Sequence, residues 1–240
     1  QDHFFMKMTK KIFKINKLFT TAITVLFLIL SMLSMPVIVF SEELQVVEEI
    51  VKKLQTSYEK TEDLKADFIQ EAYIKSIKKT EKEEGRVFFK NPKNMVWEYS
   101  KPKGKKMVIN RQTAWLYLAQ EKVAYRQKSE SLFQSKLLIN FFSGTGKLND
   151  DFIIKYAQPK ALDKDGNYLL ILTPKEKTAA CDSAKLTIDK NNFCILQLSF
   201  DDALGNSTSL IFSNILFNTG LTEKFFRFQP PKGVEVFEMP

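Results

Sequence analysis

The sequence predicts a mainly β, single-domain fold: an incomplete, open antiparallel β-barrel of about 11 strands with a helical lid. Three observations lead there. The stretch from Gly85 to Leu118 holds four short runs rich in β-branched and aromatic residues, Arg86–Lys90, Met95–Ser100, Lys106–Asn110 and Ala114–Leu118, each bounded by Asn, Pro, Gly or Lys clusters. The loops between them are too short for a parallel crossover, so the runs pair in sequence as a meander. From Asp151 onward six further runs follow with turn signals between them, and hairpins in such number curl to hide their edges.

Residues 1–41 are read as a cleaved signal peptide. Lys7, Lys10, Lys11, Lys14 and Lys17 form a basic start, Leu18 to Leu33 is an apolar run broken only by Thr and Ser, and the following segment leads into Glu42-Glu43. Val39 and Ser41 fill the small-residue positions that place the cut after Ser41; an uncleaved membrane anchor is the alternative. No Cys stands at that junction, so no lipid attachment is expected and the mature protein is read as soluble and periplasmic. The domain proper is then 42–240, 199 residues, enough for one sizeable core or cavity. The leader removes five lysines and one aspartate, so the +8 of the whole chain falls to +4. With the basic residues scattered, no nucleic-acid partner is expected. Their one dense group, Lys101, Lys103, Lys105 and Lys106, is either a solvated turn or a docking patch.

In chain order, Leu44 to Tyr58 is a predicted helix. Leu44, Val47, Val51, Leu54 and Tyr58 recur at three- and four-residue spacing, Glu48, Glu49, Lys52 and Lys53 lie opposite, and Ser41 with Glu42 and Glu43 offers a cap and an acidic first turn. Lys65 to Ile77 is a long strand with apolar residues of both parities, and Thr80 to Gly85 a polar turn. In the next meander Met95, Trp97 and Tyr99 fall on one face, Val96, Glu98 and Ser100 on the other. Lys122–Arg126 adds a strand. Ser129 to Phe142 then switches to helical spacing and stops at Ser143-Gly144. Both helices allow two readings, ordinary core packing or a lid over an apolar cavity. The remaining strands are Phe152–Ala157, Tyr168–Thr173, Ala184–Asp189, Cys194–Phe200, Ser207–Phe217 and Phe225–Phe228, with turns at Asp165-Gly166-Asn167, Asp189 to Asn192 and Leu204-Gly205-Asn206.

Several of these residues fall into a known pattern. Gly85, Lys90, Pro92, Trp97 and Tyr99, followed by Trp115 and Tyr117, resemble the Gly-opened strand, basic residue, Pro and aromatic strand of the periplasmic outer-membrane lipoprotein carrier (LolA) family. Leu64-Lys-Ala-Asp-Phe-Ile-Gln70, Leu172-Thr-Pro-Lys175, Asp202-Ala-Leu-Gly-Asn206 and Phe228-Gln-Pro-Pro-Lys-Gly-Val234 are similar to further parts of it, so the resemblance runs from Glu43 to Val236. The resemblance implies a non-enzymatic carrier without cofactor. Its partners would be triacylated lipoproteins, an inner-membrane ABC lipoprotein-release complex and an outer-membrane receptor, and it would work as a monomer. Two departures stand out. The family commonly has Arg before the Pro at 92, where its side chain bonds lid backbone in the closed state; here that residue is Asn91, with Lys90 as a possible substitute latch. The family also tends to place Gly in the hairpin at Asn110-Arg111, where Asn tolerates the left-handed region.

Missing chemistry narrows the function classes. The single His is His3, within the leader region, so the rest of the chain has no imidazole for a nucleophile or metal site. The eight glycines are spread singly, without a phosphate-binding loop. Asp201-Asp202 and Asp150-Asp151 are the obvious carboxylate pairs for a lipid- or glycan-active enzyme, but adjacent strand residues point to opposite faces. Cys181 and Cys194 stand about 20 Å apart if Asp189 to Asn192 turns a hairpin, at ~3.3 Å per residue, which favours free thiols over a bridge. The candidate acyl-chain contacts are Phe68, Met95, Trp97, Tyr99, Trp115 and Tyr117, and the candidate lid residues Val51, Leu54, Leu137, Phe141 and Phe142. A carrier or sensor module of the same architecture for another lipid is the alternative function.

Overall fold

The structure, a computed structural model, describes residues 35–130, 147–176 and 182–239, with side chains from residue 46. The chain forms two units, Gln1–Val46 and Val47–Pro240. Of the first, the described part is the opening of helix α1 (Met35–Glu59), which runs through Ser41 without stopping, so the expected cap there is not formed. The second unit holds the rest of α1 and one twelve-stranded sheet.

The sheet is built from β1 (Asp63–Ile74), β2 (Lys79–Lys90), β3 (Asn94–Lys101), β4 (Lys105–Ile109), β5 (Thr113–Leu118), β6 (Val123–Lys128), β7 (Phe152–Tyr156), β8 (Tyr168–Pro174), β9 (Ser183–Ile188), β10 (Ile195–Asp201), β11 (Ser207–Phe217) and β12 (Glu235–Glu238). A single helical turn, α2 (Leu148–Asp151), leads into β7. The spatial order β12-β6-β5-β4-β3-β2-β1-β11-β10-β9-β8-β7 joins two sequential meanders through the β1–β11 pair. All pairs are antiparallel except β12, which lies parallel to β6. The sheet stays open, with β7 at one edge and β12 at the other.

The expected polar turn at Thr80 to Gly85 is instead the first half of β2. Its charges do not break the strand because neighbours answer them: Lys82 pairs with Glu71 (3.4 Å), Glu84 with Lys101 (3.3 Å) and Glu83 with Lys105 (2.7 Å). Phe225–Phe228, expected as a strand, is none: Phe225 and Phe226 end a 3-10 turn over Glu223–Phe226, and Arg227 and Phe228 follow in irregular chain. A strand would send Phe225 and Phe226 to opposite sides, whereas both belong to one cluster. The two D-x-x-G-N turns fold alike. Asp163 and Asp202 each accept the Nδ2 of the Asn four residues on (3.0 and 2.7 Å), and Gly166 and Gly205 take the positive φ (+82° and +79°).

Two apolar clusters cover opposite faces of the sheet. On the inner face Val47, Ile50, Val51, Leu54 and Tyr58 of α1 join Leu64, Phe68, Val87, Phe89, Met95, Ile109, Ile154, Leu170, Leu172, Leu186, Ile195 and Phe212. On the outer face of β2–β6, Phe88, Val96, Val108, Trp115 and Ala124 are clad by Leu221, Phe225, Phe226, Phe228 and Val234 from the chain after β11. Asp63 ties that segment down. Its buried carboxylate accepts the N–H groups of Thr219, Gly220 and Leu221 and the Thr219 hydroxyl at 2.6–3.0 Å. Burial pushes the Asp63 carboxyl up, but these bonds outweigh it and hold it below the usual carboxylate range.

Candidate functional site

The inner face is organised by one glycine. Phe68 on β1, Gly85 on β2 and Tyr99 on β3 share a register row, and β3 carries a bulge there. A Cβ on Gly85 would overlap the Glu98 carbonyl and come within 2.9 Å of the Phe68 ring, so only glycine lets the ring cross the strand. Phe68 then meets Trp97 and Tyr99 edge-on, with ring centres 4.8 and 5.2 Å apart, and Trp97 continues the chain of rings to Phe89 (6.1 Å) and Phe212 (6.4 Å). The sequence-predicted residues Phe68, Met95, Trp97 and Tyr99 are therefore brought together, with Val51 and Leu54 of α1 in the same cluster.

Trp115 and Tyr117 are not part of this group. Trp115 sits opposite Val108 and Val96 and packs on Phe228 (5.5 Å), as does Tyr117 (5.4 Å), on the outer face. The residue opposite Met107 and Trp97 is Leu116. Leu137, Phe141 and Phe142 lie outside the described residues, as does nearly all of the expected helix Ser129 to Phe142.

Burial falls along the inner face. Leu64, Ala66 and Phe68 are buried and Gln70 is half-buried on β1; Met95 is buried and Trp97 and Tyr99 half-buried on β3. At the closed end α1 fills the face. Around Tyr58 there are two voids of about 10 Å³, lined by Leu64, Phe89, Ile195, Phe212 and Asn91 among others. Such a void holds about one water, against roughly 300 Å³ or more for a ligand pocket. The apolar cavity expected from the sequence is thus occupied at this end by the protein's own helix. Tyr58 anchors it: its hydroxyl accepts the Ile195 N–H (3.2 Å), and burial pushes its pKa up.

At the other end the inner face turns polar. Lys105 grips both oxygens of Glu83 (2.7 and 2.9 Å) with its ammonium 4.3 Å from the Tyr99 ring centre, and Gln70 donates to Glu83 (3.3 Å). Burial, then the Glu83 charge, raises the Tyr99 hydroxyl pKa. The sequence places Glu83 in a polar turn and Lys105 in a lysine group read as a solvated turn or docking patch, and assigns Gln70 no role; β2 and β4 instead carry Glu83 and Lys105 into one group with Gln70.

The other candidates are structural. Asp202 holds its turn and Asp201 accepts the Ser207 hydroxyl (2.6 Å), so the pair shares no substrate position. Asn110 does not use the left-handed region; its side-chain oxygen accepts the N–H groups of Gln112 and Thr113, both at 2.9 Å. Cys194 is a free, buried thiol, pushed up to about 11 by burial first and by Asp189 second, while Cys181 lies outside the described residues. Among the described residues no group of His, Cys, Asp or Glu could hold a metal, and no helix is long and apolar enough to cross a membrane.

Residues 59–229 match the family described as outer membrane lipoprotein carrier protein LolA. The chain belongs to the LolA family. It is 30% identical over 166 residues to the outer-membrane lipoprotein carrier protein of Neisseria meningitidis serogroup B, covering 68% of this chain and 75% of the relative. It is 26% identical over 187 residues to that of Methylococcus capsulatus, covering 78% and 86%. A structure of an uncharacterized conserved protein from Thermus thermophilus shares the fold, with a TM-score of 0.52 at 16% identity over 80% of this chain and 98% of that one. Against the LolA pattern the Asn91 departure acquires a geometry. The Asn91 Nδ2 donates to the carbonyl of Tyr58 (3.1 Å) in the last turn of α1, which also accepts the Thr61 N–H, and to that of Thr61 (2.7 Å), two residues beyond the helix. A short amide therefore reaches the backbone at the end of α1 from the position where the LolA pattern has Arg. Among the described residues the Lys90 side chain makes no hydrogen bond or ion pair.

Proposed function

We propose that this protein is a periplasmic lipoprotein carrier. Exported by a cleaved leader over residues 1–41, it receives triacylated lipoproteins from an inner-membrane ABC lipoprotein-release complex and passes them, as a monomer and without bond chemistry, to an outer-membrane receptor. Family membership supports the cargo class. The observation that carries the mechanism is one apolar inner face that an amphipathic helix fills at its closed end, while the ring chain from Phe212 through Trp97 and Phe68 to Tyr99 runs on to the half-buried end.

The energetics suit an exchange. Lifting α1 exposes Val47, Ile50, Val51, Leu54 and Tyr58, roughly 7–15 kcal/mol at ~1.5–3 kcal/mol per side chain, an upper estimate. One acyl chain of about fifteen methylenes returns on the order of 12 kcal/mol at ~0.8 kcal/mol each. Helix and tail are therefore comparable occupants of one apolar face. A first tail replaces the helix at little net cost, further tails drive loading, and the helix competes for its seat at release.

Native mass spectrometry of protein purified from the periplasm tests this reading. A co-purifying triacylated lipoprotein supports it; a free lipid as the sole adduct points to a carrier of another lipid; turnover of a lipid or glycan refutes it. Leu137→Glu, in the second expected lid segment, should abolish cargo uptake with little change in thermal midpoint.

A further inference from the structure

We infer that Lys105, with Glu83, Gln70 and Tyr99, forms a polar collar at the open end of the inner face that binds the neutral carbonyl-rich linkage of an acylated ligand, the ester and amide groups joining tails to a lipidated cysteine. This rests on the carrier reading and adds which end of the groove holds the head of the cargo and what that end selects.

Position comes first. Leu64, at the sealed end, and Gln70, at the collar, are six residues apart on β1, or about 20 Å at ~3.3 Å per residue. An acyl chain occupies about half of a ~30 Å bilayer core, roughly 15 Å. A tail with its tip near Leu64 and Phe89 and its length over Phe68 and Trp97 thus ends beside Tyr99, where the face becomes polar. Burial points the same way, since the row is closed at Leu64 and half open at Tyr99 and Lys105.

Chemistry comes second. The pair is no ordinary surface bridge: the Lys105 and Glu83 side chains are only 24% and 18% exposed, on a face otherwise lined with aromatic and aliphatic groups. Glu83 is gripped through both oxygens, so Lys105 can let go of one, donate the freed N–H to a ligand carbonyl and keep its counter-charge through the other. Gln70 and the Tyr99 hydroxyl are further donors at the same level. A free fatty acid would set a second carboxylate beside Glu83 with only one ammonium to balance both, whereas an ester or amide carbonyl takes an N–H of Lys105 and leaves the pair neutral. The collar thus favours tails attached through neutral linkages.

The test compares three probes on protein purified from cells expressing the full chain: a synthetic dipalmitoyl-cysteinyl peptide, palmitate, and the neutral fluorophore N-phenylnaphthylamine. Lys105→Met should weaken the lipopeptide about tenfold, the worth of one charge-assisted hydrogen bond, and leave the fluorophore within about twofold. Glu83→Gln should tighten palmitate about tenfold by removing the like charge. Because Lys105→Met strands a partly buried carboxylate, the double variant Glu83→Gln/Lys105→Met must show the same selective lipopeptide loss. Lipopeptide and fluorophore affinities that move together, or do not move, overturn the collar while leaving the carrier reading intact. A wild-type protein that binds the fluorophore but no lipopeptide overturns the carrier reading itself.

Discussion

Asn91→Ala tests whether this amide latches α1. The substitution deletes two hydrogen bonds, to the carbonyls of Tyr58 (3.1 Å) and Thr61 (2.7 Å), and keeps the backbone bond from Asn91 to Glu62 (3.0 Å) that holds the end of β2. At ~0.5–1.5 kcal/mol per bond the seated helix loses about 1–3 kcal/mol, a factor of roughly 5–150 in the closed-to-open ratio. With the closed form dominant, apparent affinity for a tail scales with the open fraction, so N-phenylnaphthylamine should bind tighter by the same factor. Hydrogen exchange of the amides from 50 to 59 supplies the second reading, because α1 detachment and not global unfolding should accelerate there. Asn91→Asp should go further, since a carboxylate facing two carbonyls repels where the amide donated. If Asn91→Ala leaves exchange and tail affinity within about twofold, the amide is no latch. If it lowers the thermal midpoint with no gain in tail affinity, Asn91 belongs to the scaffold and the exchange mechanism is wrong.

Gly85→Ala should destabilise the whole domain by about 3 kcal/mol or more, read by urea unfolding, because the added Cβ meets the Glu98 backbone and the Phe68 ring at once. Tyr58→Phe leaves the buried Ile195 N–H unpaired and should cost about 1–3 kcal/mol, with faster exchange at the end of α1 as the local sign. The bonds to Asp63 lower its pKa below an unfolded value near 3.9, so its contribution is full above that pH and fades as pH falls through the folded value; denaturant titrations below about pH 4 should show wild type losing stability more steeply than Asp63→Asn. Cys194, pushed up to about 11, should resist a disulfide reagent at pH 8 in the native state and react only after unfolding.

What the sequence reveals and conceals follows from the number of covered faces. Alternation announces itself where one face turns polar: Trp97-Glu98-Tyr99 gives β3 its period and its inward side, although Val96 at the start of the strand is covered on the outer face as well. β4 and β5 are covered on both faces near Val108 and Trp115, so hydrophobicity cannot say which aromatic points in. There the turn decides. Ile109 pairs with Ala114 across the four residues 110–113, and such a loop sets odd positions of one strand against even positions of the next. Inward Met107 is matched by Leu116, and Trp115 is left outside. The segment that clads Trp115 is equally hard to foresee, since Asp63, more than 150 residues away, fixes where it crosses the sheet. The same logic explains why the collar stays hidden. Gln70, Glu83 and Lys105 lie on three different strands, each polar among polar neighbours, and only the register makes them a half-buried group beside Tyr99. A polar group at that level also bears on the helix. The seat of α1 is apolar from Leu64 to Phe68, and beyond it stands an ion pair that is satisfied when empty and still has a donor to offer an incoming linkage. On the proposed reading the two ends of the face divide the work: the sealed end sets how tightly a tail must compete, and the collar sets which tails are admitted.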